Sequence, residues 1–212
     1  MTSSKKEATI ASQSAVDLLI RKAWWKMLRS LGRNRASWNG QYLSSVCDSV
    51  QRSDNTLSRV IELCNGGKLI EFGCGDGSLP RLLPNDAFTF YKGFDISDVA
   101  IARARHLAQR SGLNACEFYQ VDMTQWRGDS SISLILLEEC LYYLNKREQV
   151  EFLGRCCRSL GPEGLILVVV HDGDKHSRTL ITCRNVCSVV AEEVISHRSY
   201  LTLARKAGRG ET

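Results

Sequence analysis

Read for the spacing of its apolar side chains, the chain falls into two stretches with different periods that meet near Gly66-Gly67. In the first, Val16, Ile20, Trp24, Met27, Leu28 and Leu31 recur at three- and four-residue intervals, with Lys22, Lys26 and Arg29 on the opposite side. That spacing predicts an amphipathic helix over residues 16–31, packed through its apolar stripe. A second helix is expected over about 57–63, where Leu57, Val60 and Ile61 share a face and Asn65-Gly66-Gly67 supplies a glycine stop. The polar stretch between the two, carrying Trp38 and Tyr42, reads as a loop.

From Lys68 onward the pattern alternates. Apolar runs at 69–72, 89–94, 116–121, 132–137 and 165–170 are separated by segments of helical period, notably 99–109 and 147–160, which end at Gly112 and Gly161. Strands alternating with crossover helices predict a parallel sheet. Two last extended runs, 186–195 and 199–205, are split by a few polar residues and predict an antiparallel hairpin. The expected fold is therefore α/β, a doubly wound and mostly parallel sheet over residues 67–207, preceded by a helical cap or lid segment over 1–66.

Composition narrows the class. With 212 residues and 43% hydrophobic content, the chain can bury a real core. No run reaches the ~18 apolar residues of a membrane span and the start lacks a secretory apolar run, so a cytoplasmic protein is expected. Nine cysteines, an odd number scattered through expected strands and helices, read as free thiols in a reducing compartment. Cys156-Cys157 and the Cys183/Cys187 pair have no companion pair at zinc-ribbon spacing, so no metal is expected. The net charge of +5 leans on the two ends, which suits nucleic acid, an anionic membrane or a solvated helix face, and the last is the reading taken.

The chemistry begins after the first strand, at Glu71-Phe72-Gly73-Cys74-Gly75-Asp76-Gly77. Glycines there let the backbone pass close to a ligand, and the start of a following helix offers amide donors. The dinucleotide pattern would place its third glycine where Ser78 stands. Asp95 ends the second strand as an exposed carboxylate able to accept both hydroxyls of a ribose. Asp122 ends the third strand beside Met123, where an adenine amino group could lie against an apolar wall. Cys74 has no histidine near it in sequence and reads as a small residue in contact with the ligand, not as a nucleophile.

The runs Glu71 to Gly77, Gly93-Phe94-Asp95-Ile96-Ser97 followed by Ala100 to Arg105, and Val121-Asp122-Met123 resemble the successive motifs of class I S-adenosylmethionine-dependent methyltransferases. The resemblance covers roughly 67–170 and implies a seven-stranded sheet, S-adenosylmethionine as cofactor and S-adenosylhomocysteine as product. It assigns the methionine part to the turn of Glu71, Gly73, Cys74, Gly75 and Gly77, the ribose to Asp95 with Ile96, and the adenine to Asp122 and Met123. Glu138 joins this cofactor set. Glu139-Cys140-Leu141-Tyr142-Tyr143-Leu144 is similar to the corresponding run of the nodulation N-methyltransferase group, which implies a small amine or sugar-amine acceptor. A bacterial RNA-terminal methyltransferase group has a similar glycine turn but a metal-binding histidine where Tyr142 stands, and that departure argues against a metal-dependent RNA reaction.

Methyl transfer from a sulfonium is a displacement, so the protein must align the partners and remove a proton where the acceptor needs it. Glu139, His171 and Tyr142 are the expected catalytic residues, and Trp38, Tyr42, Tyr143 and Asp172 the expected acceptor contacts. His171 also reads as a strand end tied to a loop, and the tyrosines as residues packed on the sheet. The expected partner is a small-molecule methyl acceptor rather than nucleic acid, and the expected state a monomer or homodimer. Two alternatives stay open: an RNA or protein methyltransferase using the basic start, and a non-catalytic protein that binds an adenosine ligand.

Overall fold

The computed structural model describes residues 23, 24, 26, 27, 34–44 and 52–206, and the chain divides into two compact units, Met1–Val50 and Gln51–Thr212. In the first, residues 23, 24, 26 and 27 are helical; the rest of the 16–31 stretch lies outside the described residues. Trp24 and Met27, expected on a packed face, are exposed. Trp38 and Tyr42 do not lie in a loop. They belong to helix α1 (Asn34–Leu43), one turn apart on one face, because Ala36, Gln41 and Leu43 are good helix formers and Gly40 is the lone weak position.

The second unit holds α2 (Asp54–Cys64), which the sequence pattern alone groups with the preface. Ser53 caps it by accepting the Thr56 amide, and Asn65 closes it in the left-handed region, φ 45°. Val60 and Cys64, one turn apart, press onto Leu134, Leu136, Leu167 and Val169 of the sheet, which is why this helix belongs to the sheet unit.

The sheet has seven strands: β1 (Lys68–Phe72), β2 (Phe90–Asp95), β3 (Cys116–Gln120), β4 (Ile132–Glu138), β5 (Leu160–His171), β6 (Ser188–Ile195) and β7 (Arg198–Ala204). Their order is β3-β2-β1-β4-β5-β7-β6, with the first five parallel and β7 antiparallel to both β5 and β6. Strand β5 starts five residues earlier than its apolar run, since Leu160 pairs with Ile132 before the register shifts across Gly161 to Gly164.

The crossover helices are α3 (Leu79–Leu82), α4 (Asp98–Arg110), α5 (Lys146–Ser159) and α6 (Ser177–Val186). Ser97 caps α4 and a reciprocal Asn145–Glu148 capping box opens α5. Alternation along the strands splits the core. Ile70, Phe72, Ile135, Leu137, Ile166 and Val168 face α5 with Trp126 and Phe152, whereas Leu69, Tyr91, Leu134, Leu136 and Leu167 face α2 and α4.

Candidate active site

The strand order creates one crevice. The chain steps outward from β1 to β2 and β3, then crosses back to place β4 on the other side of β1, so the connections after β1 and β4 leave the sheet in opposite directions. Open parallel sheets take ligands at such a switch point, at the carboxyl ends of the strands. The glycine turn follows β1, and residues 139–143 follow β4.

In the turn, Gly73, Gly75 and Gly77 all adopt positive φ, +72°, +57° and +71°. A Cβ on Gly73 would lie 3.0 Å from the Cys140 Cβ, so the turn and the segment after β4 touch at closest approach. A Cβ on Gly77 would lie 2.7 Å from the Phe118 ring and 3.1 Å from Ala104. Close helix-to-strand packing, the task of the third glycine in a dinucleotide turn, is thus met one residue before Ser78. Gly77→Ala is expected to cost about 1–3 kcal/mol through backbone strain and overpacking, read as a lower urea midpoint with an unchanged slope.

The amides of this turn are largely spent inside the protein. Gly73 and Cys74 donate to the Phe94 carbonyl at 2.8 and 3.1 Å, and Gly75 donates to Asp95 Oδ2 at 3.0 Å. The helix expected to offer further donors, α3, is only four residues long, because Pro84 forbids its continuation through Leu83. Asp95 is not an exposed strand end: it is 8% exposed, and its Oδ1 accepts the Ser97 amide at 2.8 Å. Burial holds its carboxyl above the usual carboxylate range, with the Ser97 and Gly75 amides pulling the other way. The Gly75, Ser97 and Ile96 amides take up part of its acceptor capacity, and the two oxygens together keep lone-pair room for a ribose hydroxyl. Ile96 is half-buried beside it.

Asp122 lies two residues past the end of β3, with Oδ1 accepting both the amide and the hydroxyl of Thr124 at 2.8 Å. Half-buried Met123 packs on the aromatic cluster, and Arg155 of α5 donates to the Met123 and Thr124 carbonyls. Strands β1, β2 and β3 are neighbours in parallel, so turn, Asp95 and Asp122 loop share one edge.

Beneath the turn is a polar cluster that the sequence did not disclose. Arg52 donates to Glu71 Oε1, to Glu138 Oε2 at 2.5 Å and to Ser78 Oγ at 3.3 Å, while the Tyr91 hydroxyl donates to Glu71 Oε2 at 2.6 Å. Glu71 is fully buried, so it supports the turn from below and presents no surface to a ligand. Burial raises its carboxyl, against the pull of Arg52 and Tyr91. Glu138 also accepts Thr56 Oγ1 at 3.2 Å and Arg198 at 3.5 Å. The Cys74 side chain is likewise turned into the core, with its sulfur against Gly93 and its thiol pushed well up by burial. Any contact Cys74 makes with a ligand is therefore through its backbone.

On the β4 side, Glu139 sits at φ 54° and its carboxylate is held by two donors: the His171 backbone amide and the Tyr142 hydroxyl, the latter at 2.8 Å. His171 itself is exposed and reaches Glu139 through the main chain rather than its imidazole. The imidazole on this wall belongs to His176, which opens α6 and stacks on Tyr142 with centroids 3.9 Å apart and planes 18° apart. Tyr143 tilts against Tyr142 at 4.7 Å. Burial, then Tyr143 and Glu139, push the Tyr142 phenol well up, so it remains a donor. Burial and Lys175 hold His176 below its ordinary value, opposed by Glu139 and Asp172. Exposed Asp172, at φ 62°, shapes the loop by accepting the Lys175 amide at 3.1 Å. Among the described residues, no group of three or more His, Cys, Asp or Glu side chains could hold a metal ion.

Topology, glycine turn and strand-end carboxylate together form a ligand crevice at the carboxyl edge of an open α/β sheet. A family model described as a methyltransferase domain matches residues 69–164. Trans-aconitate 2-methyltransferase of Escherichia coli O157:H7 is 28% identical over 142 residues, which are 65% of this chain and 52% of that protein. The chain thus spans about half the length of the curated relatives it matches. The N-methyltransferase NodS of Bradyrhizobium japonicum WM9, solved with S-adenosylhomocysteine, superposes with a TM-score of 0.59 at 16% identity, over 72% of this chain and 87% of NodS. The O-methyltransferase NcsB1 from neocarzinostatin biosynthesis, solved with S-adenosylmethionine and a naphthoic acid, gives 0.63 at 17%, over 86% and 61%. The [4+2]-cyclase SpnF gives 0.62 at 19%, over 73% and 82%. Fold, motif order and the family match over residues 69–164 make this chain similar to class I S-adenosylmethionine-dependent methyltransferases. Since a cyclase shares the fold, the reaction must be argued from the site.

Proposed function

We propose that the chain transfers a methyl group from S-adenosylmethionine to the nitrogen of a small amine. When bound, the cofactor supplies a methyl group on a positively charged sulfur, open to displacement. The glycine turn accommodates the close approach of the methionine part, Asp95 accepts the ribose hydroxyls, and Asp122 with Met123 receives the adenine. The positive-φ turn and the spare lone pairs of Asp95 fit such a ligand.

The observation that carries the acceptor reading is one carboxylate, Glu139, hydrogen-bonded to the hydroxyl of Tyr142, whose ring in turn stacks on His176. Negative charge and π faces attract an ammonium and repel a carboxylate. An ammonium must lose its proton before its lone pair can attack, and His176, held neutral, is the base beside the carboxylate. Release of S-adenosylhomocysteine, measured over a panel of small amines beside trans-aconitate, is expected to favour an amine by at least about tenfold. A higher rate with trans-aconitate would replace the amine reading with a carboxylate one, as the relative's name suggests.

The shift of His176 sets a pH dependence. Because its value lies below 6.5, turnover is expected to hold from neutral pH to 6.5 and to fall only in more acidic buffer, as the ring becomes protonated. His176→Ala is expected to lower turnover about 100-fold and erase that acidic limb, with cofactor affinity unchanged. An unchanged rate and profile would remove His176 from the mechanism.

A further inference from the structure

Outside the crevice, the structure brings two cysteines together. Cys157, near the end of α5, and Cys187, the residue that closes α6, hold their buried sulfurs 3.2 Å apart. They are separated by 30 positions in sequence, so the approach is made by the fold. Arg205 braces the Cys157 side of the pair, donating to the carbonyls of Cys157 at 2.8 Å and Leu160 at 2.6 Å.

The two sulfurs are not equivalent. The hydrogen bond from Cys187 holds the Cys157 thiol below its ordinary range, against burial and with help from Arg205 and Arg158. The same bond, with burial, pushes Cys187 far up, so it keeps its proton. Burial pushes Cys64 up to about 11 and is the largest cause that takes Cys183 to about 12; burial first, then neighbouring acidic groups, raises Cys74, Cys140 and Cys156 well above the usual thiol range. Among the described residues, thiolate character and a resolving partner therefore coincide at this pair. Cys157 is 8% exposed, an opening suited to a small oxidant.

We propose that Cys157 and Cys187 are a redox-active pair, oxidised by a hydroperoxide to a disulfide that joins α5 to the junction of α6 and β6. The Cys157 thiolate attacks the O–O bond of hydrogen peroxide, becomes a sulfenic acid and releases hydroxide, which takes up a proton. The Cys187 sulfur then attacks the sulfenic sulfur and expels its oxygen as water, carrying off the Cys187 proton. In sum, two thiols and one peroxide give one disulfide and two waters. The loop so closed contains all of α6, including the His176 at its start that stacks on Tyr142. Gln149 of α5 already donates to Thr179 of α6 at 3.2 Å near that end, so oxidation fastens α6 to α5 at both ends.

The test treats the reduced full chain with equimolar hydrogen peroxide, then alkylates its free thiols and maps the peptides by mass. The expected result is a single disulfide joining the Cys157 and Cys187 peptides, reversed by dithiothreitol, with seven of the nine cysteines still alkylated. The oxidised protein should melt roughly 10 °C higher than the reduced one. Cys187→Ser should trap Cys157 as a sulfenic acid that dimedone labels, whereas Cys157→Ser should leave Cys187 unlabelled. The proposal is overturned if Cys157 and Cys187 both remain alkylated while other thiols oxidise, if no thiol reacts, or if dimedone labels Cys187 in Cys157→Ser. None of these readouts requires methyl transfer, so the outcome stands apart from the amine reading.

Discussion

Arg52→Met is expected to destabilise the protein by about 3–5 kcal/mol, more than any other single change at the site, because it strands two buried carboxylates. Glu71 is fully buried and the side chains of Arg52 and Glu138 are each 10% exposed, so water cannot take the place of the guanidinium. A buried pair contributes little when compared with an apolar replacement, yet removing one partner costs heavily. The double variant Arg52→Met/Glu71→Gln should therefore recover most of the loss, since a neutral amide in place of the Glu71 carboxylate needs no counter-ion and Glu138 retains Thr56 and Arg198. Urea unfolding of the two variants measures this directly. If the double variant is as unstable as the single one, the cation matters for packing rather than for charge.

Asp95→Ala is expected to weaken S-adenosylmethionine binding at least about 100-fold and, in addition, to destabilise the ligand-free protein by about 2–4 kcal/mol. An exposed carboxylate would have been lost without structural cost. This one accepts the Gly75 and Ser97 amides, so its removal strands those two donors and frees Gly75 from β2, in addition to the loss of the proposed ribose contact. Asp95→Asn keeps one acceptor oxygen and should fall between the two. The raised carboxyl also has a consequence without ligand. The folded chain binds more protons than the unfolded chain in the window above the ordinary value of about 4, so this group's contribution to stability falls as pH rises through that window. Asp95→Asn should flatten that slope. Calorimetry for the ligand and urea midpoints across pH check the two parts separately.

The features legible in the sequence are those written in local period and local chemistry. Runs of apolar residues separated by helical spacing gave the parallel strands, and Gly73, Asp95 and Asp122 were found because each ends or follows such a run. What escaped depends on contacts between distant positions. Arg52 stands in an ordinary polar stretch before a helix, while its partners are 19 and 86 positions away. Tyr91 lies inside the apolar run 89–94, and nothing local shows that Gly93, facing Glu71 across the sheet, leaves room for its hydroxyl. His171 was expected from its strand-end position alone. The signal for His176 was its place at the start of the helical run that follows the β5 loop, where a ring can turn back over Tyr142. The short α3 was readable: Pro80 sits in its first turn and Pro84 follows its end.

The central claim is that the turn from Gly73 to Ser78, together with Asp95, holds S-adenosylmethionine and not a dinucleotide. Titration calorimetry of the full chain with S-adenosylmethionine, S-adenosylhomocysteine and NAD tests it without knowledge of the acceptor. The expected result is one site per chain for the first two, with Kd of about 10 μM or tighter, and no measurable heat with NAD. Binding of NAD as tight as that of S-adenosylmethionine, or no binding of either sulfur ligand at millimolar concentration, would contradict it.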